Sequence, residues 1–85
     1  MKAHTQTPIE KSLQEACDLI TVDMLNNIQS GEEIQLNDNF TLYYYIEDEV
    51  LVLNHTETWT EILAVMYGAE NKTVEFEELE DINNI

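Results

Sequence analysis

Carboxylates are the groups in this sequence with the most chemistry to offer. Glu47-Asp48-Glu49 form one run, and Glu75, Glu77, Glu78, Glu80 and Asp81 crowd a second. Two such groups flanking a bond can act as acid and base in glycoside hydrolysis, and several together can hold calcium or magnesium. Neither chemistry is specified by the spacing. A calcium loop of the EF-hand kind needs a central glycine, and the segment 75–81 has none. With eighteen acids in a short chain, close pairs arise by chance. His4 and His55 stand apart from any HExxH, CxxC or GxSxG pattern, so neither histidine is placed for acid–base or metal chemistry. The only two glycines, Gly31 and Gly68, each fit a helix end rather than a phosphate-binding loop. No enzyme activity and no cofactor are expected.

The charge balance is the anomaly. Eighteen Asp and Glu oppose three Lys and no Arg, for a formal charge of -15. Solubility of a small domain asks for about 2–8 units, and the excess costs stability through self-repulsion. Direct binding to DNA or RNA is excluded by repulsion from phosphate. Anionic membranes are excluded likewise, and no apolar run approaches the ~20 residues that span a bilayer. The polar stretch Met1-Lys2-Ala3-His4-Thr5-Gln6 is not followed by the apolar core of a signal peptide. Cys17 is the single cysteine, so there is no disulfide framework. A cytoplasmic location is expected.

The elements that must position the acids can be read from periodicity. Eighty-five residues make one domain, 1–85. Residues 1–6 and 83–85 should be frayed. Thr7-Pro8-Ile9-Glu10 reads as a capping box with proline at the first helical position. Ile9, Leu13, Ala16, Cys17, Ile20, Met24 and Ile28 then make one apolar stripe, so the spacing predicts a helix over 8–29 closed by Ser30-Gly31. Leu19, Val22 and Leu25 lie off that stripe; either the buried face is broad or they cover a partner.

In the segment 40–54 aromatic and β-branched residues alternate about the acidic centre 47–49, which predicts a hairpin. With a candidate strand at 32–36 and a turn at Asn37-Asp38, the reading is a meander over 32–36, 39–46 and 50–54. Thr58 and Glu61 resemble a second capping box. With Trp59, Ile62, Leu63, Met66 and Tyr67 they predict a second helix ending at Gly68. Val74 and Phe76 alternate with Glu75 and Glu77 and predict a last strand at 73–77, although a short helix through Phe76, Leu79 and Ile82 fits about as well. The fold class is therefore α+β: an N-terminal amphipathic helix packed on a three- to four-stranded antiparallel sheet, with a second short helix.

On this frame the acids acquire an arrangement. Carboxylates at i and i+2 of a strand stand about 6.5–7 Å apart on one face, as Glu47/Glu49 and Glu75/Glu77 would. Glu57/Glu61 would be i, i+4 neighbours on a helix. Tyr44 should face the core, and Tyr43 and Tyr45 should share the opposite face, either covered by the second helix or the C-terminal element or left as an aromatic anchor. The reading is a non-enzymatic inhibitor that mimics nucleic acid and blocks the basic DNA- or RNA-binding site of a partner protein. Its contact candidates are Glu47, Asp48, Glu49, Glu57, Glu61, Glu75, Glu77, Glu78, Glu80, Asp81, Tyr43 and Tyr45. The alternative is an acidic assembly module that pairs with itself or a host protein through Leu19, Val22, Leu25, Tyr43 and Tyr45. In size and charge, though by no motif, the chain resembles phage-encoded proteins that mimic DNA to block restriction or CRISPR effectors, and acidic immunity proteins that mask nuclease toxins. No residues align with either kind, so no positions carry over.

Overall fold

A computed structural model describes residues 6–68, 70 and 72–85. Of the expected N-terminal tail, all but Gln6 lies outside the described residues. The first helix begins as its sequence dictates. Helix α1 is Pro8–Leu19. The Thr7 hydroxyl accepts the Glu10 amide at 3.3 Å and the Glu10 carboxylate accepts the Thr7 amide at 2.8 Å, which closes the capping box.

The helix does not run on to residue 29. Ile20 takes an extended conformation, and Thr21 caps a separate helix α2, Val22–Asn27, by accepting the Met24 amide at 3.2 Å. Two effects favour the break. Ile20-Thr21-Val22 is a β-branched run with poor helix propensity, and a threonine hydroxyl competes for the backbone amides of the next turn. The break also lets Ile20 and Ile28, on either side of α2, both enter the core. Gly31 adopts the left-handed conformation at φ 84, but it closes the turn into the sheet, donating its amide to the Tyr44 carbonyl at 2.8 Å.

The sheet has five strands rather than three or four: β1 (Glu33–Gln35), β2 (Phe40–Tyr45), β3 (Val50–His55), β4 (Glu61–Gly68) and β5 (Thr73–Glu78). Their spatial order is β1-β2-β3-β4-β5 and every pairing is antiparallel. The β1–β2 turn is held by Asn37, whose side-chain carbonyl accepts the Asn39 and Phe40 amides at 2.9 and 3.0 Å. Asn37 and Asn39 also donate to Ser12 of α1 at 2.9 and 2.8 Å, which ties helix to sheet.

The segment expected as a second helix ending at Gly68 is strand β4. Thr58 does not cap a helix. Its hydroxyl bonds the His55 ring at 2.9 Å and the Thr60 hydroxyl at 2.8 Å, while the Trp59 amide donates to the His55 carbonyl at 2.7 Å. These contacts make residues 55–60 a tight hairpin. Residues 62–67 are apolar at every position, a run whose periodicity fits a helix or a strand buried on both faces. The backbone groups of β3 need a second neighbour, and β4 supplies it. Leu53 pairs with Leu63 but Asn54 pairs with Glu61, so Ile62 is the extra residue of a bulge. The bulge sends both Ile62 and Leu63 towards the core.

The core lies on one side of the sheet. Ala16, Ile20, Ile28 and Ile82 pack with Phe40, Leu42, Leu53, Ile62 and Val65. Ile9, Leu13, Cys17 and Met24 flank them, so the expected stripe is buried; Leu25 joins it, whereas Leu19 stays 50% exposed. Ile82 opens a 3-10 helix, Ile82–Asn84, in which the Asp81 carboxylate accepts the Asn83 amide at 2.9 Å. The shortest principal axis is 19 Å, the thickness of one sheet and one helix layer.

Candidate functional site: the uncovered sheet face

Strand register divides the sheet residues between two faces. Leu42↔Leu53, Tyr44↔Leu51 and Leu53↔Leu63 face the helices. Tyr43↔Val52, Thr41↔Asn54, Val52↔Ala64 and Ala64↔Glu77 define the other face. Among the described residues no helix lies over it, and no third layer of chain covers it.

This face is roofed by its own aromatic side chains. The rings of Tyr43 and Tyr45 meet edge to face at 4.6 Å and 88°, and Trp59 meets Tyr43 at 5.8 Å and 64°. Such geometry is favoured by the ring quadrupoles. Beneath the rings Val52 is only 3% exposed. The rings themselves remain open to solvent in part, Trp59 at 39%. Trp59 reaches this place at a backbone cost: its φ is 59, a left-handed conformation that disfavours a bulky residue by about 1–3 kcal/mol.

A small polar network sits at the edge of the rings. The Tyr45 hydroxyl donates to the fully buried Asn54 at 3.3 Å, and Asn54 donates to the Val52 carbonyl at 3.2 Å. Burial raises the Tyr45 pKa above its ordinary 10.0, and the adjacent Glu61 carboxylate adds to the rise, against smaller opposing contributions from Trp59 and Asn54. The phenol therefore stays a donor at physiological pH.

The acids divide into groups. Glu61 on β4 and Glu75 and Glu77 on β5 share the open face, joined by Glu33 of β1 opposite Tyr43. All four are exposed. Glu75 and Glu77 have the i, i+2 relation of one strand face, about 6.5–7 Å apart. Glu47, Asp48 and Glu49 form the β2–β3 turn rather than strand, so the expected strand-face spacing of Glu47/Glu49 is not realised; Glu49 takes a left-handed φ of 54. Glu47 and Asp48 nevertheless border the aromatic patch, lining a concavity of about 310 Å³ with Tyr43, Tyr45 and Ile46.

The remaining candidates lie elsewhere. Glu57 sits in the β3–β4 connection and lines a separate hollow with Ile9, His55 and Ile82. The i, i+4 pairing of Glu57 with Glu61 is overturned, because no helix exists there. Glu78 opposes Leu63 on the helix-facing side, and Glu80 and Asp81 follow β5. Two residues of the face escaped the sequence reading. Trp59 was assigned to a helix, and Glu33 alternates with Ile34, a signal that places it beside Tyr43.

His55 packs edge-on against Phe40 at 5.8 Å and binds Thr58, so its ring is part of the hairpin. Among the described residues no three His, Cys, Asp or Glu side chains group as a metal site, and no helix is long and apolar enough to cross a membrane. The described lysines, Lys11 and Lys72, belong to α1 and to the β4–β5 turn. Comparison with known proteins finds no protein family, curated protein or solved structure that matches this chain.

Proposed function

We propose that the chain is a non-enzymatic inhibitor that presents its uncovered sheet face as a substitute polyanion and occupies the basic nucleic-acid-binding surface of a partner protein. One observation carries the reading: Glu61, Glu75 and Glu77 share an open face with a packed aromatic patch. Carboxylates fixed on strands take the place of phosphates, and the patch supplies the desolvated anchor that charge alone lacks. Long-range attraction speeds encounter and makes it salt-sensitive. An anti-CRISPR or anti-restriction protein of phage origin, acting in the host cytoplasm, is the concrete form of this proposal.

The test is capture on the immobilised chain followed by competitive release. Nucleic-acid enzymes should be retained, should come off with a short DNA duplex, and should not be retained by the double variant Glu75→Lys, Glu77→Lys. Retention by that variant equal to wild type would remove β5 from the proposal. The second reading is an assembly module, favoured by the exposure of Leu19 on α1, though Leu25 is already committed to the core. Binding through that surface would change little with salt.

A further inference from the structure

We propose that the open face is a receptor for arginine: a guanidinium of the partner lies flat against one ring of the edge-to-face Tyr43–Trp59 pair while its edge is taken by the glutamates beside them, Glu61 foremost. This rests on the reading of the face as a basic-partner site and names the side chain it selects.

Charge decides the sign of the occupant. Glu33 lies opposite Tyr43, and Glu61 lies opposite Asn54, which bonds the Tyr45 hydroxyl. Glu47 and Asp48 line a concavity with Tyr43 and Tyr45, while Glu75 and Glu77 stand farther out on β5 of the same face. The whole chain carries -15. A second copy would bring a like-charged rim against this one, and an apolar peptide would have to strip those carboxylates of water without replacing it. A cationic segment does neither.

Ring chemistry decides between the two cations. An ammonium is compact and strongly hydrated; a guanidinium is planar, weakly hydrated, stacks on aromatic faces and forks onto a carboxylate. A face built for lysine needs only acids. This one adds three aromatic rings, with Tyr43 held edge-on by both Tyr45 and Trp59. Tyr43 is thus fixed before any partner arrives, which lowers the ordering cost of binding. Glu61 pairs across the strands with Asn54, whose side chain accepts the Tyr45 hydroxyl, so a guanidinium edge reaching Glu61 lies next to the ring system.

Trp59 is the only tryptophan, and its fluorescence reports on the site itself. The experiment titrates the full chain with an oligo-arginine peptide and an oligo-lysine peptide of equal length at one ionic strength. Oligo-arginine should bind about fivefold tighter and change the Trp59 emission. Tyr43→Leu should bring the two peptides to parity, and Tyr43→Phe, which keeps the ring, should preserve the preference; thermal melts establish that both variants fold. Equal affinities for wild type would overturn the arginine receptor and leave the polyanion reading standing. A preference that survives in folded Tyr43→Leu would also overturn it. Absence of binding by either peptide would defeat both.

Discussion

The two faces of the sheet bury chain by different means and to different extents. On one, Phe40, Leu42, Leu53 and Val65 are covered by α1, α2 and the terminal 3-10 helix, and the contact is almost wholly aliphatic. On the other, Val52 and Asn54 are covered only by side chains of the sheet and its hairpin, Tyr43, Tyr45 and Trp59 foremost. The first arrangement removes apolar surface from water and supplies most of the folding free energy. The second leaves rings partly wet and ringed by carboxylates, which is a poor way to build a core and a good way to build a contact surface. The difference teaches that an alternating strand can commit one set of residues to a dry core and leave the next at a half-wet, charged surface.

Substitutions can break this contrast if it is wrong. Phe40→Ala on the covered face should cost about 3–5 kcal/mol, a large share of the ~5–15 kcal/mol of a small domain, read from the urea midpoint. Asn54→Ala, beneath the open face, should cost about 1–3 kcal/mol, because a fully buried amide that bonds both the Tyr45 hydroxyl and the Val52 carbonyl is lost. Trp59→Gly should change stability by no more than about 1 kcal/mol: relief of the left-handed conformation offsets the lost ring contact. A loss as large as that of Phe40→Ala would make the aromatic roof a second core and end the contrast. Glu75→Lys with Glu77→Lys should leave the midpoint within about 0.5 kcal/mol while abolishing partner retention.

The smallest expected effect probes one ionisable group behind each face. Cys17, on the helix side, has its pKa raised above the ordinary 9.0, first by burial and then by Asp18; Tyr45, on the open side, is raised above 10.0, first by burial and then by Glu61. A raised folded-state value favours the protonated, folded form. The contribution is complete below the unfolded-state value and is lost as pH climbs through the folded one. Denaturation midpoints should therefore fall in two stages, beginning near pH 9.0 and near pH 10.0. Cys17→Ala should remove the first stage and Tyr45→Phe the second.

How much of this was legible depends on where local pattern and tertiary demand agree. The 40–54 hairpin was legible because each of its strands alternates, and the placement of Tyr43 and Tyr45 opposite the helix face followed from period two alone. The N-terminal cap was legible because Thr7, Pro8 and Glu10 satisfy local rules without help from the rest of the chain. The break at Thr21 was not, since the apolar stripe continues through it and only the hydroxyl's choice of partner stops the helix. Strand β4 was not legible either. Its residues are apolar on both faces because one side meets the core and the other adjoins Val52, and that pattern mimics a helix. Trp59 was lost with it, and so was the aromatic neighbour that completes the site.

The strand sequence of the sheet, β1-β2-β3-β4-β5, repeats the order of the chain itself. Every strand finds its partner a few residues back, so little loop entropy is spent in bringing the pairs together, and such near-neighbour topologies assemble quickly. During synthesis each new hairpin arm can dock on the one just made. A chain with this layout waits for no distant segment to complete its sheet, so the open face is assembled as soon as β5 has been made.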